Sequence, residues 1–215
     1  MFHRESGYYK TSYAADMALY PLPVARWTVA AIALAMCIAP FVLHEYYVSI
    51  INLILVATVG ALGLNILTGY TGQISIGHAA FMSVGAYTAA NLAVRLDLPF
   101  WVTLPAGGMM AAAIGAVVGI PSLRIKGLYL AIATLAGQLI IEWTINHVPW
   151  ISGGAQASIQ VPRPTLFGTQ LKTQFQLYWF LLFFAVIAIV GTLNLVRSRI
   201  GRAFIAIRDR DIAAE

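Results

Sequence analysis

Six apolar runs separated by short polar interruptions make up most of this chain, at about Trp27–Leu43, Tyr47–Leu67, Ile76–Val94, Trp101–Ile120, Leu128–Ile145 and Leu177–Val196. Their lengths suit helices that cross a bilayer. The second and third runs are nearly continuous: between Glu45 and Arg95 the only ionisable side chain, tyrosines aside, is His78. A single helix over the 49 residues 46–94 would be about 74 Å long, against a hydrocarbon core of about 30 Å, so the stretch holds two spans. The break between them falls at Gly69-Tyr70-Thr71-Gly72-Gln73, inside or beside the membrane. Irregular backbone at that depth persists only where protein or a water-filled path satisfies its N–H and C=O groups, as in the broken helices of transporters. The pattern predicts an all-α polytopic membrane protein of about six transmembrane helices, with a broken or re-entrant segment near 69–77.

Composition agrees. Hydrophobic residues make up 60% of the chain and charged residues 10%, with a mean hydropathy of +0.80, where soluble domains carry about 25% charged residues. The net charge of +5 would suggest nucleic acid in a soluble protein, but here the basic residues sit at the ends of apolar runs and read as topology signals, not as a nucleic-acid surface. With the amino terminus in the cytoplasm, Arg4, Lys10, Arg26, Arg124, Lys126, Arg197, Arg199, Arg202, Arg208 and Arg210 fall inside, and Arg95, Arg163 and Lys172 outside. That distribution predicts both ends of the chain inside. Trp101, Trp150, Trp179, Tyr46 and Tyr47 then lie near outer headgroups. Residues 1–26 are too polar and tyrosine-rich for the front of a signal peptide and are expected to be a retained cytoplasmic tail. Residues 27–196 form the membrane domain, and Asn146–Gln176, rich in proline and glycine, is expected to be an ordered or re-entrant external cap. Gly115 and Gly119, beside Ala111, Ala112 and Ala113, form a GxxxG face expected to pack against another helix or to form a partner-subunit interface.

Catalytic chemistry has no visible seat. No GxxxxGK[ST] phosphate loop, HExxH motif or carboxylate pair is present, the four histidines are scattered, and Cys37 is the only cysteine. No cofactor or metal site is expected. The residues around the break carry the candidate chemistry, and they point to a translocation path. Gly69, Gly72 and Gly77 permit close backbone approach and positive φ, or are ordinary glycines of a membrane bundle. Tyr70 lies within the break itself. Thr71, Gln73 and Ser75 offer hydroxyl and amide groups either to a substrate path or to the unwound backbone. His78 is an intramembrane titratable group, hence a functional candidate by default, yet without a nearby acid it makes a poor proton relay and suits a hydrogen-bonded structural role. Asn65 precedes the break and is placed to cap or brace it. Beyond Arg197 the chain turns to mixed charge, with Ile200, Phe204 and Ile207 at helical spacing and Arg202, Arg208 and Arg210 elsewhere: an amphipathic cytoplasmic helix that lies on the membrane surface or docks on a partner.

Residues 64–81, LNILTGYTGQISIGHAAF, closely resemble the signature of LivM-type permease subunits of branched-chain amino acid ABC importers. Three further blocks follow in the same order: Leu123–Leu135, then Ile151–Gly154, then Ser198–Ala203 running on through Ile207–Asp209. The external block departs from the family pattern, since Ser152-Gly153-Gly154-Ala155-Gln156-Ala157 lacks a final glycine. The resemblance implies that Asn65, Gly69, Tyr70, Thr71, Gly72, Gln73, Ser75, Gly77 and His78 border the translocation path. It also implies that Gly201, Arg202, Ala203, Arg208, Asp209, Ala213, Ala214 and Glu215 belong to an ATPase-coupling element. Residues 197–215 would be the start of a cytoplasmic coupling helix, and because such permeases continue through further spans, the chain is expected to be a partial subunit. The implied partners are a second permease, two cytoplasmic ABC ATPases that hydrolyse ATP, and an extracytoplasmic binding protein, all at a bacterial inner membrane. A urea or short-amide importer and a stand-alone secondary transporter are the alternatives, and Glu142 is the one acidic residue near a span that a proton-coupled carrier could use.

Overall fold

The computed structural model describes residues 23–122, 125, 127–153, 159–161, 165–166, 169–170 and 173–209. Residues 1–22 of the predicted tail 1–26, the glycine block 154–157, the residues 211–215 that include Ala213, Ala214 and Glu215, and Arg124, Lys126, Arg163, Lys172 and Arg210 lie outside that set; residues 23–26 of the tail belong to the first helix. The chain divides into two compact units, Met1–Ile50 and Ile51–Glu215.

In the first unit, α1 spans Pro23–Val42 and tolerates Pro40 in its last turn. The chain turns at His44, whose carbonyl accepts from Tyr47 N–H at 2.9 Å and starts α2, Glu45–Asn65, which continues into the second unit. There α2 passes into a π-helical turn, Ile66–Tyr70. The other elements are α3 (His78–Arg95), α4 (Phe100–Ser122), α5 (Leu128–His147), the one-turn α6 (Pro149–Ser152), α7 (Gln174–Arg197) and α8 (Arg199–Asp209). Residues Thr165–Leu166 (β1) and Thr169–Gln170 (β2) form a small antiparallel pair, with Thr165 opposite Gln170 and Leu166 opposite Thr169. Each of the six apolar runs is a helix, so the all-α polytopic architecture holds. Among the described residues, three helices are long and apolar enough to cross a membrane by themselves: Glu45–Tyr70, Phe100–Ile120 and Gln174–Arg197. α3 and α5 carry more polar side chains, among them Thr88, Asn91, Gln138 and Glu142. Several of these bond within the protein: Asn91 Nδ2 reaches the Ile151 carbonyl at 2.9 Å, and Gln138 Nε2 donates to Glu142 Oε1 at 2.8 Å.

The second unit is built around α3, which contacts α4, α5 and α6. A Cβ placed on Gly107 would stand 2.6 Å from the Gly85 carbonyl oxygen and 3.3 Å from Ala89 Cβ, so α3 and α4 meet backbone to backbone. Small residues at this contact let dispersion act where lipid removes the hydrophobic drive. Among the described residues a Cβ on Gly115 would meet only the Phe81 ring edge, at 4.0 Å, and one on Gly119 nothing within 4 Å, so that face makes no close helix contact here. The GxxxG spacing is present, but the facing surface that closes onto small residues belongs to Gly107 and Ala111. α2 runs antiparallel to α3, with Gly60 opposite Met82 and Gly63 opposite His78. Farther along, Asn52 Nδ2 donates to the Gln174 backbone and side-chain oxygens at 3.3 and 3.1 Å, tying α2 to the first turn of α7.

Gly107→Ala should drive α3 and α4 apart and cost about 1–3 kcal/mol, the range for an overpacked contact. Gly119→Ala should leave stability unchanged. Thermal unfolding in detergent, followed by size-exclusion fluorescence, separates the two; equal Tm values would place the helix contact elsewhere.

Candidate functional site

The break is a change of hydrogen-bond register completed by extended chain. In the π turn, Thr71 N–H reaches back five residues to the Ile66 carbonyl at 3.2 Å, the wider spacing that marks functional interruptions in helices. Gln73 N–H then skips Gly69 and bonds the Leu67 carbonyl at 3.1 Å, which also accepts the Thr71 hydroxyl at 2.5 Å. Gly72 turns the chain with φ +69°, a conformation that costs an L-residue about 1–2 kcal/mol. Residues 71–77 form a strap back to α3. Ile76 N–H donates to Thr134 Oγ1 on α5 at 3.1 Å, and a Cβ on Gly77 would stand 2.3 Å from the Thr134 carbonyl oxygen. The continuous helix from Glu45 to Tyr70 is 26 residues, about 39 Å and longer than the roughly 30 Å hydrocarbon core. Since His78 lies beside Gly63, the strap climbs back about 10 Å along α2 before α3 begins.

The register change releases the Gly69 carbonyl, and its new donor comes from the far end of the chain. Arg208 Nη1 on α8 donates to it at 3.0 Å. The Arg208 stem crosses the same turn, with Cγ 3.1 Å from where a Gly72 Cβ would be. α8 is itself held on a one-residue elbow after α7. Ser198 Oγ donates to the Leu195 carbonyl at 2.6 Å and accepts from Ile200 and Gly201 N–H at 3.2 and 3.4 Å, an N-cap arrangement. At Gly201 a Cβ would fall 2.0 Å from the Val196 carbonyl oxygen, so no larger residue fits the elbow without moving it.

Residues 46–215 match the family model for the permease component of branched-chain amino acid transport systems. The chain belongs to that permease family. It is 35% identical over 198 residues to the high-affinity branched-chain amino acid transport system permease protein LivM of Escherichia coli K12, and 32% identical over 198 residues to the LivM of Salmonella typhimurium LT2. Each match covers 81% of this chain and 46% of the relative, so the chain spans about half the length of the relatives it matches. No solved structure matches the chain.

Within this permease the structure joins two sets of residues that the sequence kept apart. Gly69, Gly72 and Arg208 form one contact, whereas Arg202 and Ala203 are exposed on α8 away from it and the Asp209 side chain lies outside the described set. Thr71 is satisfied by its own helix, while the half-buried Gln73 and Ser75 make no side-chain hydrogen bond among the described residues. Asn65 makes no capping bond; its Oδ1 lies over Gly69, 2.7 Å from where a Cβ would be, and braces the turn. His78 fills the groove left by Gly63, its Cε1 3.3 Å from the glycine's virtual Cβ, which favours the structural role. Tyr70 is half-buried at the end of the π turn. Sequence reasoning missed Thr134 and Ser198. Both lie inside the blocks that resemble the family, but a hydroxyl in a helix gives no sign of whether it serves its own backbone or a neighbour.

Gly77→Ala should misfold the permease, because the obstructing atom is backbone, and Thr134→Val should destabilise it by about 1 kcal/mol through loss of the Ile76 partner. Tm and detergent-solubilised yield check both; a normally stable Gly77→Ala would show that the strap is not packed on α5.

Proposed function

We propose that this chain is a transmembrane permease subunit of an ATP-binding-cassette importer for branched-chain amino acids, forming part of the translocation path while partner ATPases hydrolyse ATP. Family membership and the two LivM relatives support the substrate class. The observation that carries the mechanism is the Arg208 bond to the Gly69 carbonyl. On this reading α8 is the beginning of the ATPase-coupling element and residues 65–78 line the path. Ile200 and Ile207 are 55% and 42% exposed, an apolar strip on α8 that an ATPase groove would cover. Movement of α8 on its Ser198 elbow is delivered to the Gly69 carbonyl, and from there to Gln73 and Ser75. The bond is solvent-exposed and worth about 1 kcal/mol, weak enough to break and reform in each cycle.

The assembly would contain a second permease, two cytoplasmic ATPases and an extracytoplasmic receptor in a bacterial inner membrane, with the amino terminus and α8 in the cytoplasm. In a Cys37→Ser background, Gln160→Cys should react with an impermeant maleimide from outside and Ala206→Cys only after lysis. The reverse pattern would invert the topology.

In proteoliposomes carrying the assembled importer, Arg208→Gln and Gly72→Ala should each lower leucine uptake about tenfold while ATP hydrolysis continues. Uptake at the unmutated rate in both would remove the coupling role of this contact, and an assembled importer that moves urea but no leucine would replace the substrate.

A further inference from the structure

Away from the break, α3, α4, α5 and α6 enclose a half-open cavity of about 480 Å³. Ile114, Ile140, Ile141 and Ile145 line it, with Trp150 and Ile151 of α6 at one end. Several of the polar side chains in its wall are committed elsewhere. Thr88 and Thr144 hydroxyls donate to the Val84 and Ile140 carbonyls at 2.8 Å, and the Asn91 amide donates to the Tyr87 and Ile151 carbonyls at 2.9 Å. A zwitterionic amino acid entering here would lose water around both charges; the arginine at the cavity end, Arg95, can pair its carboxylate, but no acidic group in the lining meets its ammonium, so the substrate is a poor occupant. A hydrocarbon chain costs nothing of that kind, and the volume lies within the roughly 300–1,000 Å³ of ligand sites.

The cavity end has the complementary charge. The Arg95 guanidinium stands 4.7 Å from the Trp150 ring centroid and donates to the Trp150 carbonyl. Arg95 is exposed and lies one residue past Val94 at the end of α3, where a span meets the headgroups. Its planar fork has donors beyond that one bond, and its geometry suits a phosphate. A tryptophan and an arginine together at the rim of an apolar cavity make an interfacial pair.

We propose that this cavity is a phospholipid site, with one acyl chain held among the isoleucines of α4 and α5 and the phosphate on Arg95. Among the described residues the lipid fills the gap between α3 and α5, beside the Asn91 bond to Ile151 that ties α6 to α3.

The test is native mass spectrometry of the protein purified in detergent with phosphatidylethanolamine carrying brominated acyl chains, together with Trp fluorescence. Wild type should retain a phospholipid after delipidation and show bromine quenching that Trp150→Phe removes. Arg95→Gln should lower retention about tenfold, the value of one charge-assisted bond, and Ile141→Trp, which fills the cavity, should abolish it. If Ile141→Trp fails to fold, Arg95→Gln and Trp150→Phe decide. Equal lipid retention in Arg95→Gln, quenching that survives Trp150→Phe, or binding of detergent but not phospholipid would overturn the site; so would a cavity that is filled by protein and takes up no lipid.

Discussion

A peptide group in a membrane has to find its hydrogen-bond partner within the protein, and the rest of this structure depends on how residues 66–77 meet that demand. Leaving one such group unpaired in an apolar medium costs several kcal/mol. The chain first widens its helix by one residue, sending Thr71 N–H to Ile66 and Gln73 N–H to Leu67. It then borrows partners from elsewhere: Thr134 for the Ile76 N–H and, at the exposed end of the break where water can also serve, Arg208 for the Gly69 carbonyl. The break is therefore held by two other helices, α5 and α8.

These two supports differ in kind. Against α5 the strap is fixed by steric contact, since Gly77 lies against the Thr134 backbone with no room for a methyl group. Against α8 it is held by the Arg208 side chain, whose stem lies over Gly72 and whose guanidinium makes an exposed, charge-assisted hydrogen bond to the Gly69 carbonyl. One support is rigid and the other is compliant. A helix such as α8, set on a one-residue elbow and joined to a switchable carbonyl, has the mechanical form expected of a lever acting on a gate. The glycines divide along the same line: Gly77, Gly107 and Gly201 allow close approach, while Gly72 supplies a backbone angle.

Much of this was legible in the sequence. The absence of charge over 46–94 forced a division into two helices, and the density of glycine and hydroxyl residues located their junction within a few positions of the observed π turn. The amphipathic spacing of Ile200, Phe204 and Ile207 gave α8. What the sequence did not show was which surfaces meet. Gly115 and Gly119 had the conventional spacing for a helix contact, yet Gly85 and Gly107 make it, because packing depends on the residue supplied by the opposite helix. Likewise Arg208 and Gly69, 139 positions apart, carry no mark of their pairing. Nor do the committed hydroxyls of Thr88 and Thr144, which turn an apparently mixed cavity wall into an apolar one.

In the proposed function, coupling rests on the bond between α8 and the broken helix, and a distance measurement reads that bond directly. Spin labels at Thr68→Cys on the π turn and Ala206→Cys on α8, both exposed positions, can be introduced into a Cys37→Ser background. Pulsed electron paramagnetic resonance should give one narrow distance distribution when Arg208 is present and a broad or shifted one in Arg208→Gln. The same distribution in both proteins would show that Arg208 does not hold α8 to the break and would contradict this coupling.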